Sequence, residues 1–293
     1  MITLTTDFGT SDGYVAAMKG AMLSIHPDAR FVDVTHAVSP QDVMEAAFVL
    51  NSAAPYFPDG SVHLVVVDPG VGTDRRAVAL RSDGHWYVGP DNGVFPLVIG
   101  TETPEAVVEL DDPAAWRTDT PSTTFHGRDI FAPAAAHLAK GADLEDIGTP
   151  VESLQPLRWA LPISDEYTVQ GWVVHVDRFG NCITNIRRET IARALDPERR
   201  APVPSEVSTS DEGTASADLS ELPALKGYAG SSVLEGLRTT YGDVAEGEPL
   251  MLFGSTGFLE ISVNGGDAAE LLDIRKGDTV KLVFQRSEDE DEA

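Results

Sequence analysis

The segment running from Val62 to Val67 and on through Asp68-Pro69-Gly70-Val71-Gly72-Thr73-Asp74-Arg75-Arg76 constrains this chain most. A β-branched apolar run reads as a buried strand, and here it delivers a carboxylate to a Gly-rich turn with an arginine seven residues later. In an α/β protein that places Asp68 at the carboxyl edge of the sheet, where open parallel sheets bind ligands. Taken alone, Asp68-Pro69-Gly70 is an ordinary surface turn whose dihedrals Pro and Gly supply. Two further polar clusters argue against that reading: Thr5-Thr6-Asp7-Phe8-Gly9-Thr10-Ser11-Asp12 at the end of another strand, and Thr123-Thr124-Phe125-His126-Gly127-Arg128-Asp129.

The first half alternates short strands with helices. Ile2 to Thr6 and Phe31 to Val34 read as strands, Tyr14 to Leu23 as a helix, and Ser39-Pro40-Gln41-Asp42 opens a second helix by cap and first-turn proline. Ala77 to Leu80 and Trp86 to Val88 look like paired strands, and Ile130 to Ala139 like a helix. The expected fold is an α/β N-terminal domain, 1–160, with a mostly parallel central sheet. Beyond it, Tyr167 to Val176, Leu250 to Phe253, Leu259 to Val263 and Thr279 to Phe284 predict a smaller C-terminal all-β, barrel-like domain, 161–286. An acidic loop is expected over 201–225 and a disordered acidic tail over 287–293.

The chain has 293 residues, a formal net charge of -26 and lysine at only five positions. Such a surface repels nucleic acid and anionic lipid, so the expected partners are small molecules, with no nucleic acid and no membrane. It also suits a halophile's cytoplasm, where concentrated salt screens self-repulsion. Cys182 is the sole cysteine, which excludes an internal disulfide and fits a reducing compartment. No apolar run reaches the ~18 residues of a membrane span, and no leader precedes the first strand, so the protein is expected in the cytoplasm. The histidines show no close pair at ligand spacing, so no metal site is expected.

The three polar clusters and their spacing resemble the S-adenosylmethionine hydroxide adenosyltransferase family, relatives of the fluorinase and chlorinase enzymes, over nearly the whole chain. The resemblance implies hydrolysis of S-adenosyl-L-methionine to adenosine and L-methionine, with no cofactor, in a homotrimer whose sites lie at subunit interfaces. It assigns Asp68, Arg75 and His126 to the catalytic set of the hydrolytic members; halide-using members differ at the aspartate and histidine positions. It assigns Asp7 to the ribose hydroxyls and Asp12 to the amino-acid end, although Asp12 would ordinarily cap the first helix. In His175-Val176-Asp177-Arg178-Phe179-Gly180-Asn181 it implies that Asp177 contacts the methionine part and Asn181 the adenine edge; the bland reading is a turn between two strands. In Phe253-Gly254-Ser255-Thr256-Gly257-Phe258-Leu259-Glu260-Ile261-Ser262-Val263-Asn264, Ser255, Glu260 and the backbone at Val263 are further candidate contacts. Tyr241 is a candidate stacking ring. Asp7-Phe8-Gly9 also matches the kinase metal-binding triplet, but it ends the first strand and none of the other kinase signatures is present.

The sulfonium leaves as a neutral thioether and needs no acid, so the chemical difficulty is the weak nucleophile. Water must be held in line and lose a proton as it attacks. Arginine cannot act as a neutral base, so Arg75 is expected to orient Asp68, and either Asp68 or His126 takes the proton. Two rival functions are a halide-dependent adenosyltransferase, for which Gly127 would leave an anion pocket, and a non-catalytic nucleoside-binding sensor.

Overall fold

The computed structural model describes residues 1–100, 103–156, 161–165, 167–195 and 225–284. They form two compact units, one of residues up to 156 and one from 161 onward.

The first unit runs β1 (Ile2–Thr6), α1 (Tyr14–Ile25), β2 (Phe31–Thr35), α2 (Val43–Ala53), β3 (Val62–Val66), β4 (Ala77–Ser82), β5 (His85–Pro90), α3 (Pro96–Ile99), β6 (Ala106–Glu109), α4 (Ala132–Lys140) and β7 (Thr149–Pro150). The seven strands form one sheet in the order β2-β1-β3-β5-β4-β6-β7. β1 pairs in parallel with β2 and β3, and β3 with β5, whereas β4 runs antiparallel to β5 and β6, and β6 to β7. The sheet is therefore mixed, which corrects the expectation of a mostly parallel one. The cause is local. Asp83 and Gly84, at φ 48° and 73°, make a two-residue turn with positive φ at both positions, and such turns join antiparallel strands.

Alternation along the strands divides the two faces. Ile2, Leu4, Val62, Leu64 and Val66 pack with Met18 and Met22 of α1 and with the alanine-rich face of α4. Thr3, Thr5 and His63 alternate with them and are equally buried. Two helix starts differ from expectation. α2 is capped by Asp42, whose Oδ1 accepts from the backbone of Glu45 at 3.0 Å, and not by Ser39. Gln41, at φ 66°, holds a left-handed conformation that a helix cannot include, so the helix opens at Val43. α1 has Gly13 at its cap position and no side-chain cap bond, so Asp12 does not cap it.

The second unit contains β8 (Ile163–Ser164), β9 (Thr168–Val176), β10 (Cys182–Arg187), α5 (Arg188–Leu195), β11 (Leu225–Ala229), β12 (Ser232–Glu235), β13 (Pro249–Phe253), β14 (Phe258–Val263), α6 (Ala268–Leu272) and β15 (Thr279–Phe284). Its sheet runs β12-β11-β15-β9-β10-β14-β13 with β8 added to β9, and every pairing is antiparallel. Just past β12, the amide of Arg238 donates to the carbonyl of Met251 in β13 at 2.8 Å, so the two ends of the sheet nearly close into a barrel. The interior is apolar and includes Cys182, whose thiol burial pushes up to about 12, so this cysteine is not a nucleophile at neutral pH. The expected acidic loop lies outside the described residues except at Leu225, which instead opens β11 and is buried. The expected acidic tail also lies outside them.

Candidate active site

β1 and β3 are neighbouring parallel strands paired as far as Thr6 and Val66, so Asp7 and Asp68 both emerge just past their carboxyl ends. β2 and β3 flank β1 on opposite sides, and strand order reverses there. That reversal opens the crevice in which sheets of this kind take ligands.

Asp68, Arg75 and His126 are joined in one hydrogen-bonded chain. Arg75 Nε donates to both oxygens of Asp68 at 2.9 and 3.1 Å, and its Nη2 donates to Oδ2 at 2.6 Å. Nη2 also donates to Nδ1 of His126 at 2.7 Å. The Asp68 and Arg75 side chains are 6% and 10% exposed, and the guanidinium lies 5.0 Å above the ring of Phe131. A planar fork is the one cation that can grip a carboxylate in two places and still reach an imidazole.

Three loops from separate parts of the sequence are fastened together here. Thr73 Oγ1 donates to the carbonyl of Gly70 at 2.7 Å and closes the turn that brings Arg75 back onto Asp68. Gly72, at φ 77°, lies against the next loop: a Cβ there would collide with the carbonyl oxygen of Thr123. Phe125 in turn meets Phe8 and Tyr14 edge-on, with ring centroids 5.8 and 5.3 Å apart. His126 is followed at once by a π-turn over Gly127–Phe131 that leads into α4; such turns recur at functional sites because they re-aim side chains.

The protonation state of His126 follows from its partner. Arginine can only donate, so Nδ1 is an acceptor and the ring proton sits on Nε2. Burial and the Arg75 charge both hold the imidazole below its ordinary pKa, against the smaller opposing pull of Asp68 and Asp129. The ring is neutral near pH 7. Gly127 does not face an open pocket: a Cβ there would lie 3.2 to 3.3 Å from Val66, Met18 and Phe125. The space that an anion would need is filled by apolar side chains.

Asp129 lies behind this loop with a fully buried side chain. It accepts from Arg117 Nε at 2.5 Å, from Arg128 Nε at 2.7 Å and from the backbone of Ser122 at 2.9 Å. Burial opposes its charge, but these donors outweigh it and hold the carboxyl well below the usual carboxylate range. Asp7 is partly committed too, its Oδ2 accepting from the backbone of Gln41 at 2.8 Å. Asp12 is exposed.

In the second unit, Asp177 and Asn181 bond to each other. Asp177 Oδ1 accepts from the backbones of Phe179 and Asn181, both at 2.9 Å, and Oδ2 accepts from Asn181 Nδ2 at 2.9 Å. These bonds build the turn between β9 and β10, the bland role weighed for both residues. Tyr241 is half-exposed, and its hydroxyl donates to Glu260 Oε2 at 3.1 Å. Burial and the nearby Asp177 charge raise the Glu260 pKa, against the hydrogen bond from Tyr241. Burial and Glu260 together push the Tyr241 phenol up to about 12. Ser255 is exposed in the turn between β13 and β14, and Val263 ends β14 with its side chain buried.

Sequence reasoning missed Phe131, Asp129 as an anchor, and Asn92, whose Nδ2 donates to the carbonyl of Val67, the residue that precedes Asp68, at 2.9 Å. Asn92 left a readable signal, since Pro90-Asp91-Asn92-Gly93 follows a strand just as Asp68-Pro69-Gly70 does. Among the described residues no group of three or more His, Cys, Asp or Glu is placed to hold a metal ion, and no helix is long and apolar enough to cross a membrane.

A mixed α/β unit carrying a buried acid–guanidinium–imidazole chain, followed by a nearly closed antiparallel barrel, defines the class of two-domain protein. Residues 2–148 match the SAM hydroxide adenosyltransferase N-terminal domain and residues 171–281 its C-terminal domain. The chain is 41% identical over 288 residues to the (R)-S-adenosyl-L-methionine hydrolase of Thermus thermophilus, covering 95% of this chain and 97% of that one. It is 40% identical to the protein of the same name from Salinispora tropica, covering 96% and 97%. A fluorinase from Actinoplanes is more distant, at 28% identity over 96% and 97%. A Thermotoga maritima crystal structure, described as an uncharacterized conserved protein, superposes with a TM-score of 0.81 at 35% identity, covering 97% of this chain and all of that one. The chain belongs to the SAM hydroxide adenosyltransferase family.

Proposed function

We propose that this chain hydrolyses S-adenosyl-L-methionine at the ribose 5' carbon, giving adenosine and L-methionine. The observation that carries this reading is the continuous Asp68–Arg75–His126 chain at the strand ends. Water attacks C5' as the C5'–S bond breaks, the bonding pair leaves with sulfur as the neutral thioether of methionine, and the water proton passes to a base. Asp68 is that base. The Nδ1 lone pair of His126 is occupied by Arg75, and Asp68 Oδ2 accepts from both Nε and Nη2 of Arg75, whereas Asp68 Oδ1 accepts only from Nε and has a second lone pair to offer. His126, with its proton on Nε2, orients the nucleophile as a donor. Arg75 fixes both partners and stabilises the hydroxide-like charge that develops.

Asp7, with one oxygen held by Gln41, offers the other to the ribose. Asp12, Asp177, Asn181, Tyr241, Ser255, Glu260 and the Val263 backbone complete the proposed substrate contacts. The sulfonium is a sufficient leaving group, so no cofactor enters. We place the activity in the cytoplasm, which the single cysteine suits as a reducing compartment, and in a homotrimer, as the family resemblance implies.

Incubating the purified protein with S-adenosyl-L-methionine in molar chloride and separating the products by chromatography tests this directly. Adenosine and methionine in equal amounts are expected; 5'-chloro-5'-deoxyadenosine would reassign the protein to halide transfer, and no turnover would make it a sensor. A carboxylate at position 68 and the packed space at Gly127 both argue against a chloride site. The pH profile carries a second prediction. His126 must stay neutral to accept from Arg75, and its pKa is lowered, so the acid limb of kcat should fall below the ordinary histidine value of about 6.5. A limb at or above that value would count against the assigned tautomer.

A further inference from the structure

The segment that follows β2 grips the turn after β1 at three points, and that turn carries Asp7. The amide of Gln41 donates to Asp7 Oδ2 at 2.8 Å, the amide of Gly9 donates to the carbonyl of His36 at 2.7 Å, and Thr6 Oγ1 lies 2.8 Å from His36 Nδ1. Thr6 Oγ1 also accepts from the amide of Phe8 at 3.3 Å, so its hydroxyl closes a local turn across Asp7. Thr6 and His36 are both buried, whereas Asp7 between them is partly open to solvent.

The imidazole has a second neighbour. Its Nε2 lies 3.1 Å from Asp33 Oδ1, off the line of a hydrogen bond, and Asp33 Oδ2 accepts from Lys19 Nζ of α1 at 2.7 Å. A carboxylate can only accept, so beside it the neutral ring keeps its proton on Nε2 and leaves Nδ1 to accept from the Thr6 hydroxyl. Thr6 then gives its one proton to His36 and takes the Phe8 amide on a lone pair. Buried polar pairs of this kind add little net stability, because apolar groups of the same shape can replace both partners at small cost. What they add is direction. A carboxylate that meets two ribose hydroxyls must hold one orientation, and ordering it in advance removes a cost from binding.

We propose that His36 and Thr6 are positioning residues that set the direction of the Asp7 carboxylate and with it the preference for a nucleoside that keeps its ribose 2' and 3' hydroxyls. This rests on the ribose role given to Asp7 in the hydrolase reading. Neither residue touches substrate; both act through the Asp7 turn.

Titration calorimetry of the full-length protein with adenosine and with 2',3'-dideoxyadenosine tests it without requiring turnover. The parent should prefer adenosine. Thr6→Val keeps the side-chain shape and removes the hydroxyl, so adenosine should bind about fivefold or more weakly while dideoxyadenosine stays within about twofold; Thr6→Ser restores the hydroxyl and should match the parent within about twofold for both. His36→Leu should repeat the valine pattern. With S-adenosyl-L-methionine, Thr6→Val should raise KM by a similar factor and leave kcat within about threefold, since the Asp68–Arg75–His126 chain makes no hydrogen bond to Thr6 or His36. Equal weakening of both nucleosides in Thr6→Val marks a merely structural hydroxyl and overturns the proposal, as does a Thr6→Val or His36→Leu protein that keeps the parental preference. A parent that binds the two nucleosides alike overturns it together with the ribose role of Asp7. A parent that makes no adenosine, yet shows the preference and loses it in Thr6→Val, would refute the hydrolase reading and leave the positioning role standing.

Discussion

Asp68→Asn should lower kcat about 10³-fold while KM changes by less than about threefold, because the substitution removes the base and keeps the shape. The asparagine oxygen can still accept from Arg75, so the guanidinium and His126 retain their places, but an amide takes up no proton. The companion change His126→Asn is expected to cost less, about tenfold, since it removes an orienting donor and not the proton acceptor. The two variants together decide a question that the sequence leaves open. If His126→Asn is the more damaging and Asp68→Asn keeps substantial turnover, the imidazole is the base and the tautomer inferred from Arg75 does not operate during catalysis. Thermal melts of both variants separate this from damage to folding, because breaking a buried ion pair also costs stability.

Much of this architecture could be read from residue patterns because the informative elements are local. Strand ends that deliver Asp7 and Asp68 are visible as apolar runs meeting Gly-containing turns, and the β4–β5 pair was legible as two short strands. The direction of pairing in the outer half of the sheet was not drawn, although Asp83-Gly84 carried it; a two-residue turn of that kind forces a hairpin and hence an antiparallel extension. The Ser39-Pro40 helix start failed for another reason. Proline and a capping residue are local preferences, and here the backbone at Gln41 is bent into a left-handed conformation while its amide reaches Asp7, 34 residues away in sequence. Long-range contacts of that sort leave no periodicity. The same limit hid Phe131, whose ring meets Arg75 from the last residue of the π-turn that leads into α4. Asp177 and Asn181 show the reverse case: their spacing is equally good for a self-contained turn and for substrate contacts, and the structure places them in a turn whose hydrogen bonds occupy part of their capacity.

The loop that carries His126 depends on one anion that never meets solvent, and Asp129→Asn should expose that dependence. The Asp129 carboxylate is fully buried and gathers Arg117, Arg128 and the Ser122 amide from both sides of His126. Replacing it with a neutral amide leaves two guanidiniums facing a group that cannot balance them, and breaking a buried pair in this way costs roughly 3 kcal/mol, on the order of a 5–10 °C loss in Tm. Turnover should fall about tenfold in the fraction that remains folded, because the hold on the 122–129 segment slackens and His126 loses its fixed approach to Arg75. The sign of the pH dependence follows from the depressed pKa. The stabilisation from this carboxylate is present above the ordinary aspartate pKa near 4 and is lost as pH falls toward the folded-state value, so the difference in Tm between parent and variant should be constant at neutral pH and shrink in acid. A variant with the parental Tm at pH 7 would show that the two arginines find solvent or other partners at no cost. His126 would then be held by Gly72 and the aromatic contacts of Phe125, and the buried anion would have no part in placing it.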